Sequence, residues 1–84
     1  MIIDVPQVPT TLRDIIQPSN PYGESLFLQT PVANTDVVNF GPKGECELFL
    51  DPGLSASYPA VSLASIQVCA PVAGQKLIVI FNKA

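Results

Sequence analysis

Few side chains in this sequence can do chemistry, and their spacing matches no reactive motif. Histidine is absent from all 84 residues. Its absence removes Ser-His-Asp and Cys-His nucleophilic catalysis, His-ligated metals and the commonest general base. Cys46 and Cys69 are 23 positions apart with no CxxC spacing, so they do not compose a zinc site. Glu45, Glu47 and Asp51 alternate onto one face of an expected strand, where they could hold Ca²⁺ or act as a carboxylate pair. Such a row is more often a solvated face, and the calcium-loop pattern D-x-[DN]-x-[DN]-G is missing. Gly41 and Gly44 lack the following Lys and Ser or Thr of a phosphate loop. Tyr22 and Tyr58 could stack on sugars, but without Trp their simpler role is packing at turns and strand edges. The sequence reads as a non-enzyme with no cofactor and no metal.

Composition narrows the partners. Hydrophobic residues make up 48% of the chain and charged residues only 13%, against a usual charged fraction of about 25%. A chain of this length buries only roughly 60 to 65% of its unfolded surface. A thin core with few charges favours packing against neighbours, including further copies of the chain in a homo-oligomer. The net charge is −3, and the cations Arg13, Lys43, Lys76 and Lys83 are scattered. Phosphate-backbone binding needs clustered Lys and Arg, so no direct nucleic-acid contact is expected. The start lacks the basic and apolar regions of a cleaved signal, and no apolar run approaches the ~20 residues of a spanning helix. Neither secretion by that route nor a membrane partner is expected.

The elements divide the chain in two. Residues 1–23 carry prolines at positions 6, 9, 18 and 21, with a fifth at 31. Because proline fixes φ and lacks a donor, this stretch reads as an extended arm. It holds one short helix, with Thr11 and Asp14 as capping box, Leu12, Ile15 and Ile16 on one face, and Gln17-Pro18 as stop. Met1 to Val5 could add an edge strand. Residues 24–84 alternate short strands with turns, predicting an all-β, small antiparallel β-sandwich of about six strands. Those strands fall at 25–29, 35–40, 45–50, 57–63 with a break at Pro59, 65–70 and 76–82. Asp51-Pro52-Gly53 suits a type II turn, and Pro71-Val-Ala-Gly74 is expected to join the last two strands as a hairpin.

Alternation assigns the faces. Cys46, Leu48 and Leu50 form one predicted core face, and Ile66, Val68 and Ala70 another, with Cys69 on the opposite side of its strand. That opposed parity predicts free thiols rather than a disulfide. Leu77, Val79 and Phe81 on one side of the last strand, and Ile78 and Ile80 on the other, are all apolar. Such a strand calls for cover on both faces, from the arm or from another subunit. Phe49, alone among acidic neighbours, is a candidate interface anchor. With it we count the apolar row of the arm, Ile2, Ile3, Val5, Val8, Leu12, Ile15 and Ile16, as candidate partner-binding residues.

Four stretches carry a resemblance. They are Asn34-Thr-Asp-Val-Val-Asn-Phe-Gly41, Glu47-Leu-Phe-Leu-Asp-Pro-Gly-Leu-Ser55, Val61-Ser-Leu-Ala-Ser-Ile-Gln-Val68 and Lys76-Leu-Ile-Val-Ile80. Together they resemble small β-sandwich virion proteins of tailed bacteriophages, over about residues 34 to 84. The resemblance implies a virion structural protein, assembled in the host cytoplasm, that binds a major capsid protein or other virion subunits by surface complementarity. Capsid decoration or cement is the first expectation, and a tail or fibre component the second. A carbohydrate- or receptor-binding module is the alternative from another class. The proline-rich first third lies outside the resemblance, which transfers no catalytic residue.

Overall fold

In the computed structural model, which describes residues 1–83, short strands build two antiparallel sheets. The elements run β1 (Ile2–Asp4), β2 (Thr10–Thr11), α1 (Leu12–Ile16), β3 (Tyr22–Gln29), β4 (Val38–Pro42) and β5 (Leu48–Leu50). They continue with β6 (Ser55–Tyr58), β7 (Val61–Ser62), a 3-10 turn over Leu63–Ser65, β8 (Ile66–Cys69) and β9 (Lys76–Lys83). The first sheet has the order β1-β9-β3-β6, with β7 also paired to β3, and the second has the order β2-β8-β4-β5. The all-β reading holds, with more strands than the six expected, most of them shorter and two, β3 and β9, longer. Ala84, the last residue of the expected sandwich, lies outside the described residues.

The long strands β3 and β9 form the spine because both alternate apolar residues toward the other sheet. Leu28 pairs with Val79 and Leu26 with Phe81, and Leu26, Leu28, Leu77 and Val79 are all buried. Facing them, Val38, Phe40, Leu50, Ile66, Val68 and Ala70 fill the second sheet's inner face. Phe40 on β4 meets the Tyr58 ring of β6 edge to face, with centroids 6.4 Å apart at 88°, which ties the two sheets together.

Turn chemistry sets the connections. Gly53 has φ +88°, and Leu54 N donates to Asp51 O at 3.0 Å, as the Asp51-Pro52-Gly53 pattern predicts. A second turn closes Pro42-Lys43-Gly44-Glu45, with Gly44 at φ +90° and Glu45 N donating to Pro42 O at 2.8 Å. The Pro71-to-Gly74 turn departs from expectation. It joins β8 in the second sheet to β9 in the first, so it crosses the sandwich instead of closing a hairpin.

The proline-rich segment supplies an edge to each sheet. β1 pairs with β9 in the register Ile2 to Ile78, Ile3 to Leu77 and Asp4 to Lys76, and the Asp4 and Lys76 side chains form an exposed ion pair. β2 pairs with β8. Pro6 and Pro9 fall between these strands, where a missing donor costs no ladder bond and the chain must change sheets. Proline carbonyls still accept: Ala70 N donates to Pro6 O at 2.9 Å and Leu63 N to Pro21 O at 2.8 Å. The division expected at residue 23 falls inside β3.

α1 follows its sequence signals. Thr11 accepts from Asp14 N at 3.4 Å, and the helix stops at Gln17, which takes φ 54° while its N–H donates to Arg13 O. The burial of Leu12, with Ile15 and Ile16 against the same core, then turns this short helix inward.

Candidate functional site

The expected partner surface of the arm is largely used by the chain itself. Ile3 and Val5 are 8% and 5% exposed and Leu12 is fully buried, all within the one core shared by the two sheets. Ile3 sits opposite Leu77 on a paired strand and Leu12 heads an inward-facing helix, so neither is free to anchor a neighbour. Ile15 and Ile16 are half-buried against that core. Of the candidate residues, Ile2, Val8 and Phe49 remain exposed.

What stays open is the outer face of the first sheet. The arm lies beside β9 as an added strand and does not cover it, so the Ile78 and Ile80 face has no layer above it from residues 1–23. Ile2 pairs with Ile78 and Ile80 with Phe27, which places these four side chains on one face. Ile80 is 51% exposed, Ile2 is exposed and the other two are half-buried. Beside this face runs a groove of about 450 Å³ lined by Met1, Ile16, Pro18, Ile80, Phe81 and Lys83. Ile16 is the candidate arm residue that lines it.

The second sheet presents a smaller apolar edge. β5 begins only at Leu48, because Glu45 O lies where a side chain on Gly41 would stand and residues 45–47 leave the ladder. Leu48 is therefore exposed on the edge strand instead of buried, while Leu50 keeps its core position. Glu45 and Glu47 fall in this loop and do not line up with Asp51 on a strand face. No group of three His, Cys, Asp or Glu residues is placed to hold a metal among the described residues. Tyr22 is exposed, whereas Tyr58 lies opposite Leu26 further along β3 and packs on Phe40, so the two do not form one stacking platform.

Cys46 departs most from its predicted position. The 43–47 loop folds onto the outer face of the second sheet, held by Lys43 N to Ser65 O at 2.9 Å and Gly44 N to Gln67 Oε1 at 2.9 Å. This brings Cys46 Sγ to 3.5 Å from Cys69 Sγ. Parity failed here because Cys46 is a loop residue and not part of β5. Both thiols are unbonded and half-buried. Burial, then the Cys69 thiol beside it, push the Cys46 thiol up to about 12. Tyr58 is also raised, by burial first and then by the charge of Cys46.

Two buried amides hold the loops that frame the first sheet, and neither drew notice in the sequence. Gln75 Oε1 accepts from Thr35 N at 2.9 Å and Asp36 N at 3.1 Å, while its Nε2 donates to Thr35 Oγ1 at 2.9 Å. Asn34 extends the β9 ladder by one side chain: Nδ2 donates to Lys76 O at 2.8 Å and Oδ1 accepts from Lys76 N at 2.9 Å. A Gln before a strand and an Asn three residues past a proline are ordinary loop residues by type, and only the fold reveals that they face inward. No buried side-chain polar atom among the described residues lacks a partner. No protein-family model, curated protein or solved structure matches the chain, and no helix among the described residues is long and apolar enough to cross a membrane.

Proposed function

We propose that this chain is a non-catalytic virion structural protein, a capsid decoration or cement protein that adds buried interface to the head shell. The observation that carries the reading is the uncovered apolar face of Ile2, Phe27, Ile78 and Ile80 on a sandwich whose own core is already closed. An apolar side chain fully buried on a partner contributes ~1.5–3 kcal/mol, and a shell repeats that gain over many copies. The groove beside Ile80 gives a partner segment a place to seat, and the Leu48-Phe49 edge offers a second contact for a major capsid protein or for another copy of this chain. The resemblance of residues 34 to 84 to phage virion sandwiches supports a shell as partner. A tail or fibre position would use the same surface.

A carbohydrate- or receptor-binding module is the second reading, and exposed Tyr22 is the residue that favours it. Co-sedimentation of the purified chain with shells of the major capsid protein, run beside a glycan array, separates the two. Saturable binding to shells without glycan signal is expected. Glycan binding without shell binding would replace the proposal with the module.

A further inference from the structure

Cys46 and Cys69 lie together for no structural reason already given. Their sulfurs are 3.5 Å apart, and a disulfide needs ~2.05 Å, so an approach of about 1.5 Å would join them. The two ends are unequally free to move. Cys69 is held in the β8 ladder opposite Asn39, whereas Cys46 belongs to the 43–47 loop, outside any strand. The start of the loop is tethered through Lys43, Gly44 and the Glu45 N to Pro42 O turn, whereas Cys46 itself has only a long contact of 3.7 Å from Sγ to Gln67 O besides its neighbouring thiol, so residues 46–47 can supply the movement. Both residues are partly exposed.

We propose that Cys46 and Cys69 are a thiol-modification site that closes reversibly into an intramolecular disulfide on reaction with a low-molecular-weight disulfide. One cysteine, as thiolate, attacks a sulfur of the reagent RSSR, forming a mixed disulfide and releasing RS⁻. The second cysteine, also losing its proton, attacks the protein-side sulfur of that mixed disulfide and releases the second RS⁻. The two protons are taken up by the two leaving thiolates. The protein dithiol is oxidised by two electrons and the reagent is reduced to two thiols. Either cysteine can open the exchange, and the other, 3.5 Å away, resolves it. Closure fastens the 43–47 loop to β8. Cys69 and Phe49 both lie opposite Asn39, in one cross-strand row. The site stands on this geometry alone, whether or not the chain decorates a shell.

The test is intact mass after treating the folded protein with oxidised glutathione, followed by alkylation of remaining thiols in denaturant. The expected product is a monomer that has lost two hydrogens, takes up no alkyl group and regains both thiols with a dithiol reductant. Cys46→Ser is expected to stop at one glutathione adduct on Cys69, and Cys69→Ser at one adduct on Cys46. A wild-type protein that ends with two alkylated thiols, with a stable glutathione adduct or with a bond between two chains would overturn the proposal. The wild-type mass decides the matter even if a serine variant does not fold.

Discussion

Leu12→Ala tests whether residues 1–23 complete the sandwich or hang from it. Leu12 is fully buried at the first position of α1, against the core that both sheets share. The substitution removes buried carbons at ~0.8 kcal/mol per methylene and leaves a cavity, and such Leu→Ala changes cost about 2–5 kcal/mol. Alanine is the best helix former, so helix propensity adds nothing to the loss. A domain of this length is stable by roughly 4–13 kcal/mol, which makes the change a large fraction of the whole. In urea at neutral pH the midpoint should fall at constant slope. The melting temperature should fall by roughly 10 °C or more. Val8→Ala, at an exposed position of the same segment, should stay within about 0.5 kcal/mol of wild type. If Leu12→Ala unfolds at the wild-type midpoint, the segment is not part of the core and the assignment of Ile3, Val5 and Leu12 to the interior fails with it.

Three further outcomes follow from particular contacts. Gly53→Val should destabilise by more than ~1 kcal/mol, since a branched residue is strained at φ +88° and its Cβ would stand 3.1 Å from Val32 Cγ1; an unchanged melting temperature would remove the turn as described. Gln75→Leu should cost roughly 2–4 kcal/mol by leaving Thr35 N and Asp36 N without their acceptor, and faster hydrogen exchange at those two amides should accompany it. Oxidising the Cys46–Cys69 pair should raise stability by up to about 3 kcal/mol through loop closure, read as a higher urea midpoint that a dithiol reductant abolishes.

The sequence made the local features legible and the long-range ones much less so. Thr11 with Asp14, Gln17 before Pro18, and Asp51-Pro52-Gly53 are signals whose physics is complete within a few residues, and each forms as read. The alternation of Ile66, Val68 and Ala70 placed the β8 core face for the same reason. Sheet membership is not local. Nothing within residues 71–75 distinguishes a hairpin from a crossing between sheets, so that choice was decided by how β8 and β9 pair elsewhere. Prolines likewise exclude a continuous strand without excluding two short ones: β1 forms where Met1 to Val5 read as a possible edge strand, and β2 was hidden in an apparent arm. At the cysteines, alternation was applied beyond the end of a strand. The close approach of Gly41 to Glu45 ends β5 early, and past that point parity carries no information.

Shell binding by an outer-face variant tests the proposed function most directly. Ile80 is half-exposed on the first sheet and contributes little to the core, so Ile80→Asp should leave folding intact. We would titrate wild type and Ile80→Asp onto particles stripped of this chain, with circular dichroism and melting temperature as folding controls. The account predicts saturable wild-type binding and a loss of affinity of at least tenfold for the variant, the least that burying an isoleucine at ~1.5–3 kcal/mol would give. Equal binding by the two folded proteins would contradict the outer face as the attachment surface, and no binding by wild type would contradict the decoration role itself.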